Sequence, residues 1–344
     1  MRIGILGSGQ LGRMLAQSSS RLGHTCDFYD SDFGDLNALQ EFAVHCDVIT
    51  YEFETVPCDA ARFLEGFTPV YPPPRALEVS QDRLTEKEFL QSLEIGTPRF
   101  QAASSESGLL EACNAVGYPC IAKTRRLGYD GKGQCRISSP ADVPLAWKTL
   151  QGVPLIVEAF VPFTRELSVV ATRDRQGVVV LYPLIHNVHV GGILHRSEIP
   201  APDVSAPVQA LACAAITKVL EALDYVGTLA IELFEVNGGI LANEMAPRVH
   251  NSGHATIEGI ETSQFSNHIR AVTGAPLGDA NVVSRAVMFN VIGKVPDLGQ
   301  VRELPNAAVH LYGKEERPGR KLGHITMLNP SVAEEALVNQ LCAR

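Results

Sequence analysis

At 344 residues, 45% hydrophobic and 19% charged, the chain has ordinary globular composition and enough length for two or three domains. A net charge of -9 argues against a general nucleic-acid binder, and no segment approaches the roughly 20 apolar residues of a membrane span. The eight cysteines form no C-x-x-C pair and no cysteine/histidine knuckle, which excludes a zinc ribbon or disulfide framework and makes a reducing cytoplasm the expected location.

In chain order, "MRIGIL" predicts a short strand, Gly7, Gly9 and Gly12 follow at once, and a helix is expected over residues 11–22. A second strand, "TCDFYD", ends in Asp30. The spacing matches the G-x-G-x-x-G turn of dinucleotide-binding units, with an acid about where one would bind a ribose. A strand-glycine-helix turn also attracts other anions through the helix N-terminus, so NAD and other phosphates both stay open at this point. "LNALQEFAVH", "DVITYEFE" and "CDAARFLEGF" continue the alternation of a parallel sheet with crossover helices. The proline-rich "TPVYPPPRALEVSQD" reads as a connector.

From "DRLTEKEFLQSL" to about residue 274 the chain is rich in apolar strands: "PCIAKT", "PLIVEAFV", "LSVVATRD", "VVVLYPLI" and "GTLAIELFEV", with one long helix over about 207–223. The remaining residues carry two strand-like runs, "SRAVMFNVIG" and "AAVHLYG", and the basic, hairpin-like "KEERPGRKLGHITML".

Four groups of residues carry chemistry. In "TLAIELFEVNGGILANEMAPR" two apolar strands flank Asn237-Gly238-Gly239, a hairpin signal. With those three residues as the loop, Val236 pairs with Ile240 and Glu232 falls opposite Glu244. Alternation then sets Ala230 and Phe234 beside Glu232, and Ile240 and Ala242 near Glu244. Two opposed carboxylates in a half-buried sheet need a counter-charge, and Mg2+ takes one or two carboxylates together with phosphate oxygens and water. The competing reading is a wet face with both glutamates solvated. Next, "IAKTRRLGYDGKGQ" delivers Lys123 from a strand into a run holding Gly128, Gly131 and Gly133. Without Walker A spacing, this is either a phosphate lid or a plain hairpin turn. "APRVHNSGH" groups Arg248, His250, Asn251 and His254 as a surface loop or a site. "KEERPGRKLGH" holds Lys314, Arg317, Arg320 and Lys321 as a solvated turn or a phosphate clamp.

Taken together and in this order, "GSGQLGRM", "DRLTEK", "AKTRRLGYDGKGQ", "YPLIHNVH", "ANEMAPRVHNSGH" and "RPGRKLGH" resemble the motifs of the N5-carboxyaminoimidazole ribonucleotide synthetases. These are ATP-grasp ligases of purine biosynthesis, the ATPase subunits of phosphoribosylaminoimidazole carboxylase. The resemblance covers nearly the whole chain. It implies a combined α/β and α+β architecture: a Rossmann-like pre-ATP-grasp domain over 1–82, an ATP-grasp domain over 83–275 with a mobile lid at about 100–160, and a small β-rich C-terminal domain over 276–344. It further implies a cytoplasmic homodimer that uses ATP and Mg2+, with Mn2+ as a substitute, to carboxylate 5-aminoimidazole ribonucleotide with bicarbonate through carboxyphosphate. Neither nucleic acid nor membrane is an expected partner.

The same resemblance implies roles for residues. Arg83 and Lys123 contact ATP phosphates, and the lid residues Gly128, Tyr129, Asp130, Gly131, Lys132 and Gly133 close over them. Glu158, Ala159, Phe160 and Val161 form the strand that meets adenine through its backbone; Glu166 binds the ribose, and His186 is a further nucleotide-site position. Glu232 and Glu244 hold Mg2+, assisted by Asn243. Gly9, Gln10, Leu11, Glu52 and Glu54 border the ribonucleotide with Tyr129, Asp130, His250 and Asn251, and Lys314, Arg320 and Lys321 clamp its 5′-phosphate. Arg248 and His250 stand between the substrates, and Asp130 or His250 handles the amine proton. On this view the first glycine turn faces the ribonucleotide and not NAD. The alternatives are a sibling ATP-grasp ligase, such as a formate-dependent transformylase, and an NAD-dependent oxidoreductase, which explains only the first 30 residues. Leu127-Gly128 departs from the glycine pair of many relatives, which is expected to stiffen that end of the lid.

Overall fold

The computed structural model describes residues 1–128 and 131–343, and Tyr129 and Asp130 lie outside them. The described strands form three sheets. The first is parallel, with β1 (Arg2–Leu6) between β2 (Thr25–Tyr29) and β3 (Val48–Tyr51), as the alternating N-terminal pattern requires. The second is antiparallel, in the order β4 (Phe100–Ala103), β7 (Leu155–Ala159), β5 (Cys120–Thr124), β6 (Gln134–Ile137). It holds Lys123 at the end of a buried strand.

The third sheet has nine strands. β8 (Arg165–Arg173) pairs with β9 (Val179–Leu181), β10 (Ile185–Val190) and β12 (Gly227–Val236), and β11 (Ile193–Ile199) continues outward from β10. β13 (Gly239–Ala246) ends one side of this sheet. On the other side β11 pairs with β14 (Ala286–Ile292), which leads to β16 (Lys321–Leu328) and then β15 (Ala307–Leu311). The C-terminal strands are therefore bonded into the large sheet and do not form a sheet of their own. "VVVLYPLI", read above as one strand, is two, because Pro183 removes a backbone donor between β9 and β10. The basic run is a loop that opens into β16.

The largest core lies where the Ala206–Ala222 helix covers one face of the third sheet, with Ile216 and Leu220 against Leu167, Val169, Leu229 and Ile231. Ser205 caps that helix and Pro207 occupies its first turn, which explains a sharp start in an apolar run. The opposite face of the sheet is left for the site.

His268 ties the parallel sheet to the large one. It is fully buried in the Gln264–Thr273 helix, its Nε2 lies 2.8 Å from Thr50 Oγ1 on β3, and its Nδ1 accepts the Thr228 N–H of β12 at 3.1 Å. Burial pushes its imidazolium down to about 3, far below the range of a solvated histidine. The folded state thus binds this proton less well than the unfolded chain, so stability is complete above about pH 6.5 and declines as pH falls toward 3. The urea midpoint is expected to drop steadily from pH 6.5 to pH 4, by up to about 1.4 kcal/mol of unfolding free energy per pH unit from this residue. A midpoint that stays level across that range would contradict the neutral, buried histidine.

Candidate active site

The β12–β13 hairpin forms the floor of the site. Its turn is Asn237-Gly238, both residues at positive φ (50° and 74°), the geometry of a tight two-residue hairpin. The three-residue loop expected from the sequence is thus one residue too long, and Val236 pairs with Gly239. Glu232 nevertheless stands opposite Glu244, because a bulge inserts Asn243 between the Leu233–Ala242 and Glu232–Glu244 pairs. The bulge also corrects the expected neighbours. Ala242 and Ile240 pack on the core side with Leu233, while Phe234 lines the cavity beside the glutamates.

The two half-buried carboxylates are not equivalent. Burial opposes the charge of Glu244, but Arg83 Nη1 at 2.5 Å from its Oε2, with Lys123 behind, outweighs it and leaves the carboxyl at about 2. Burial followed by the charge of Glu244 pushes Glu232 up to about 7, and its nearest described ion partner is His250 Nε2 at 3.5 Å. One carboxylate is compensated and the other still needs a cation. The donors are hard oxygens, two carboxylates with the bulge residue Asn243 between them in sequence, which suits Mg2+ better than a soft metal. The chemistry of this set fits the cation that the sequence motifs imply. Among the described residues no group of three or more His, Cys, Asp or Glu side chains is arranged to hold a metal ion.

A cavity of about 380 Å3 lies over the hairpin. At one end Lys123 Nζ donates to Glu158 Oε2 at 2.8 Å and to Asn243 Oδ1 at 3.3 Å. Ala159, Phe160 and Val161 continue along the wall, and Phe163 and Phe234 stack face to face with ring centroids 4.9 Å apart. Glu166 accepts from His189 Nδ1 at 2.9 Å, and this pair faces the same space. Gly128, Gly131 and Lys132 border the cavity from the segment between β5 and β6. Leu127 adopts φ +64°, a left-handed conformation costing a non-glycine residue roughly 1–2 kcal/mol.

At the other end stands the first glycine turn, and it is already filled. The carboxylate of Glu52 accepts the backbone N–H of Gly9 and, at 2.6 Å, that of Gly12. A side chain at Gly9 would meet Glu52 Oε1 at 2.6 Å, and one at Gly12 would meet the Gly7 carbonyl at 2.9 Å. The glycines are needed for this internal carboxylate, which occupies the anion position at the helix N-terminus that a dinucleotide would need. Gln10 and Leu11 line the cavity instead, and Gln10 Oε1 accepts Lys314 Nζ at 2.7 Å. Burial, then the charges of Arg320 and Lys321, push the Lys314 ammonium below its usual range. Arg320 Nη1 donates to Glu315 O at 3.4 Å, and Lys321 lines the cavity.

Between the two ends Arg248 grips Glu54 through two bonds, one of 2.8 Å from Nη2, and Asn251 and Asn290 exchange amide bonds at 2.8 and 3.1 Å. The imidazole of His250 is pushed down to about 3 by burial, then by Arg248 and Lys321. A second cavity of about 330 Å3 shares Glu54, Arg83, Glu232, Glu244, Arg248 and His250 with the first. These six side chains stand between the two spaces.

Most residues singled out in the sequence meet in this region. Six of those given roles do not line the cavity: Gly9 and Glu52 serve the glycine turn, Gly133 packs against Thr124, His186 lies on the face of β10 that pairs with Leu167, away from the site, while His189 takes the inward position, and Lys314 and Arg320 reach Gln10 and the Glu315 carbonyl. Gly9 contributes its N–H to Glu52. Tyr129 and Asp130 lie outside the described residues. Sequence reading missed Glu86, Lys87, His189, Phe163 and Asn290. Lys87 belongs to the quoted "DRLTEK" run, yet helical spacing alone makes it a surface lysine.

The chain matches the ribonucleotide synthetase preATP-grasp domain over residues 1–33 and 27–81, the ATP-grasp domain over 88–265, and the phosphoribosylaminoimidazole carboxylase C-terminal domain over 286–337. It is 47% identical over 342 residues to the N5-carboxyaminoimidazole ribonucleotide synthase of Pseudomonas aeruginosa, covering 95% of this chain and 94% of that one. Among solved structures, the N5-carboxyaminoimidazole ribonucleotide synthetase of Thermus thermophilus aligns with a TM-score of 0.93 at 46% identity over 99% of both chains. The N5-carboxyaminoimidazole synthase of Aspergillus clavatus, in complex with ADP and 5-aminoimidazole ribonucleotide, aligns with a TM-score of 0.90 at 29% identity over 99% of this chain and 97% of the other. With the ATP-grasp match spanning more than half the chain and this identity running along nearly all of it, the protein belongs to the N5-carboxyaminoimidazole ribonucleotide synthase family of ATP-dependent ligases.

Proposed function

We propose that the two-ended cavity carboxylates 5-aminoimidazole ribonucleotide with bicarbonate at the expense of ATP, giving N5-carboxyaminoimidazole ribonucleotide, ADP and phosphate in purine biosynthesis. The observation that carries this reading is the meeting of an ATP-grasp glutamate pair with a cationic second end, joined by Arg248 and His250. A bicarbonate oxygen attacks the γ-phosphorus, ADP leaves, and carboxyphosphate forms. The exocyclic amine of the ribonucleotide then takes up the carboxyl group, phosphate departs, and the amine nitrogen loses a proton.

The chain's own residues chiefly position and neutralise. Lys123, held by Glu158 and Asn243, and Arg83, held by Glu244, aim fixed positive charge at the phosphates, so little reorganisation is needed as charge moves. Adenine suits the apolar end beside Phe163 and Phe234, where the Ala159–Val161 segment runs along the wall, and Glu166 accepts from ribose hydroxyls. Bound by Glu232 and Glu244, Mg2+ or Mn2+ would neutralise charge on the transferring phosphoryl group. Lys314, Arg320 and Lys321 form the clamp for the 5′-phosphate, next to Gln10. Arg248, fixed by Glu54, faces the labile carboxyphosphate, and exclusion of water by the lid protects it. His250 or Asp130 takes the amine proton. A cytoplasmic homodimer completes the proposal, on family membership, and no helix among the described residues is long and apolar enough to cross a membrane.

ADP release from Mg·ATP and bicarbonate is expected to rise strongly when the ribonucleotide is added. Release without stimulation would retain the ATP half and remove the substrate assignment. Glu244→Gln removes a charge that both the cation site and Arg83 depend on, so turnover should fall by about a hundredfold or more while the protein stays folded; a fully active variant would eliminate the metal assignment. Lys314→Ala should raise the KM for the ribonucleotide about tenfold with a small change in kcat. An unchanged KM would remove Lys314 from the clamp.

A further inference from the structure

Because β13 ends the nine-stranded sheet, its outer edge carries backbone groups that no neighbouring strand bonds. The helix Arg83–Ser92 lies along that edge and answers it with side chains. Glu86 Oε1 accepts the N–H of Met245 at 2.5 Å. Lys87 Nζ donates to the carbonyls of Ala242, at 3.1 Å, and Asn243, at 2.5 Å. One turn earlier, Arg83 holds Glu244.

Lys87 is 1% exposed, and a buried ammonium is costly unless its donors are used. Two of its contacts are carbonyls around the bulge, and the remaining neighbour is Glu158 Oε2 at 3.7 Å, which already receives Lys123. Asn243 is the residue without a partner on β12, so its carbonyl depends on Lys87 for a donor. Regular pairing from the Asn237-Gly238 turn would set Asn243 opposite Glu232 and turn Glu244 toward the core face. We infer that Lys87 is a positioning residue: it holds the Asn243 bulge and thereby keeps Glu244 facing Glu232, acting through β13 and not on the substrate. The inference rests on the reading of the glutamate pair as the cation site.

The test is calorimetric binding of ADP to the full chain, in Mg2+ and in EDTA. Wild-type protein should bind ADP about tenfold or more tightly with Mg2+. Lys87→Met, which keeps length and removes the donors, should lose most of that Mg2+-dependent gain while binding ADP in EDTA within about twofold of wild type, because positioning residues of metal ligands change metal affinity by about 10–100-fold. Deleting Asn243 would leave every other observed pair of the hairpin in register and remove the carbonyl at the bulge. The deletion also removes the Asn243 side chain that accepts from Lys123, so part of the gain is lost with it; of the gain that remains, Lys87→Met should cause no further loss. A Lys87→Met protein with the full wild-type gain overturns the inference, as does an undiminished effect in the deletion background. Should Lys87→Met not fold, Lys87→Arg serves in its place: it keeps the charge but displaces the donors and should lose the same gain, and retention would overturn the role. Wild-type protein without any Mg2+-dependent gain would instead remove the cation reading itself.

Discussion

Two carboxylates facing each other across one antiparallel pair are the constraint around which this protein is arranged. Left alone, Glu232 and Glu244 would repel and their hairpin would be destabilised. The fold answers unequally, giving Arg83 to Glu244 and leaving Glu232 with a histidine that burial keeps neutral. On the function proposed above, this one-sided compensation is what leaves room for one more cation together with the anionic groups that accompany it. The helix from Arg83, the strand that carries Lys123 and the loop from Arg248 all converge on that imbalance.

The buried charges around the pair are better understood as geometry than as stability. Desolvating Lys87, Glu158 and Lys123 costs about as much as their mutual attraction returns, so such a cluster is weak evidence for a more stable fold. What it supplies is direction. Lys123 is held by two acceptors on two different sheets, Glu158 on β7 and Asn243 on β13, so the four-stranded sheet and the hairpin are registered to each other through one ammonium group.

At the other end the protein has converted an anion-binding turn into a wall. The amides of Gly9 and Gly12 would attract a phosphate, but the strand end of β3 brings Glu52 into the same position. The helix N-terminus is satisfied internally, and the group it presents to the cavity is the side chain of Gln10, which accepts from Lys314. His268 then fixes this parallel sheet against β12, which sets the distance between the two ends of the cavity.

The local alternation of apolar runs determined the parallel N-terminal sheet, the lysine-bearing strand and the glutamate hairpin, because period-two patterning and turn residues act over a few neighbours. It also placed Glu232 against Glu244, although by a loop one residue too long that the bulge then offset. Family motifs extended this to most of the cavity. What the sequence could not determine depends on groups distant along the chain. Asn237-Gly238-Gly239 allows two loop lengths, and a lysine on the Arg83–Ser92 helix stabilises the bulge that the shorter loop requires. Gly7, Gly9 and Gly12 permit a dinucleotide or an internal carboxylate, and only the approach of β3 brings Glu52 into the turn. His186 and His189 both lie on β10 near Glu166, and the pleat of a strand paired on both sides turned just one of them inward. In each case the local chain was compatible with two arrangements, and contacts made on tertiary packing selected between them.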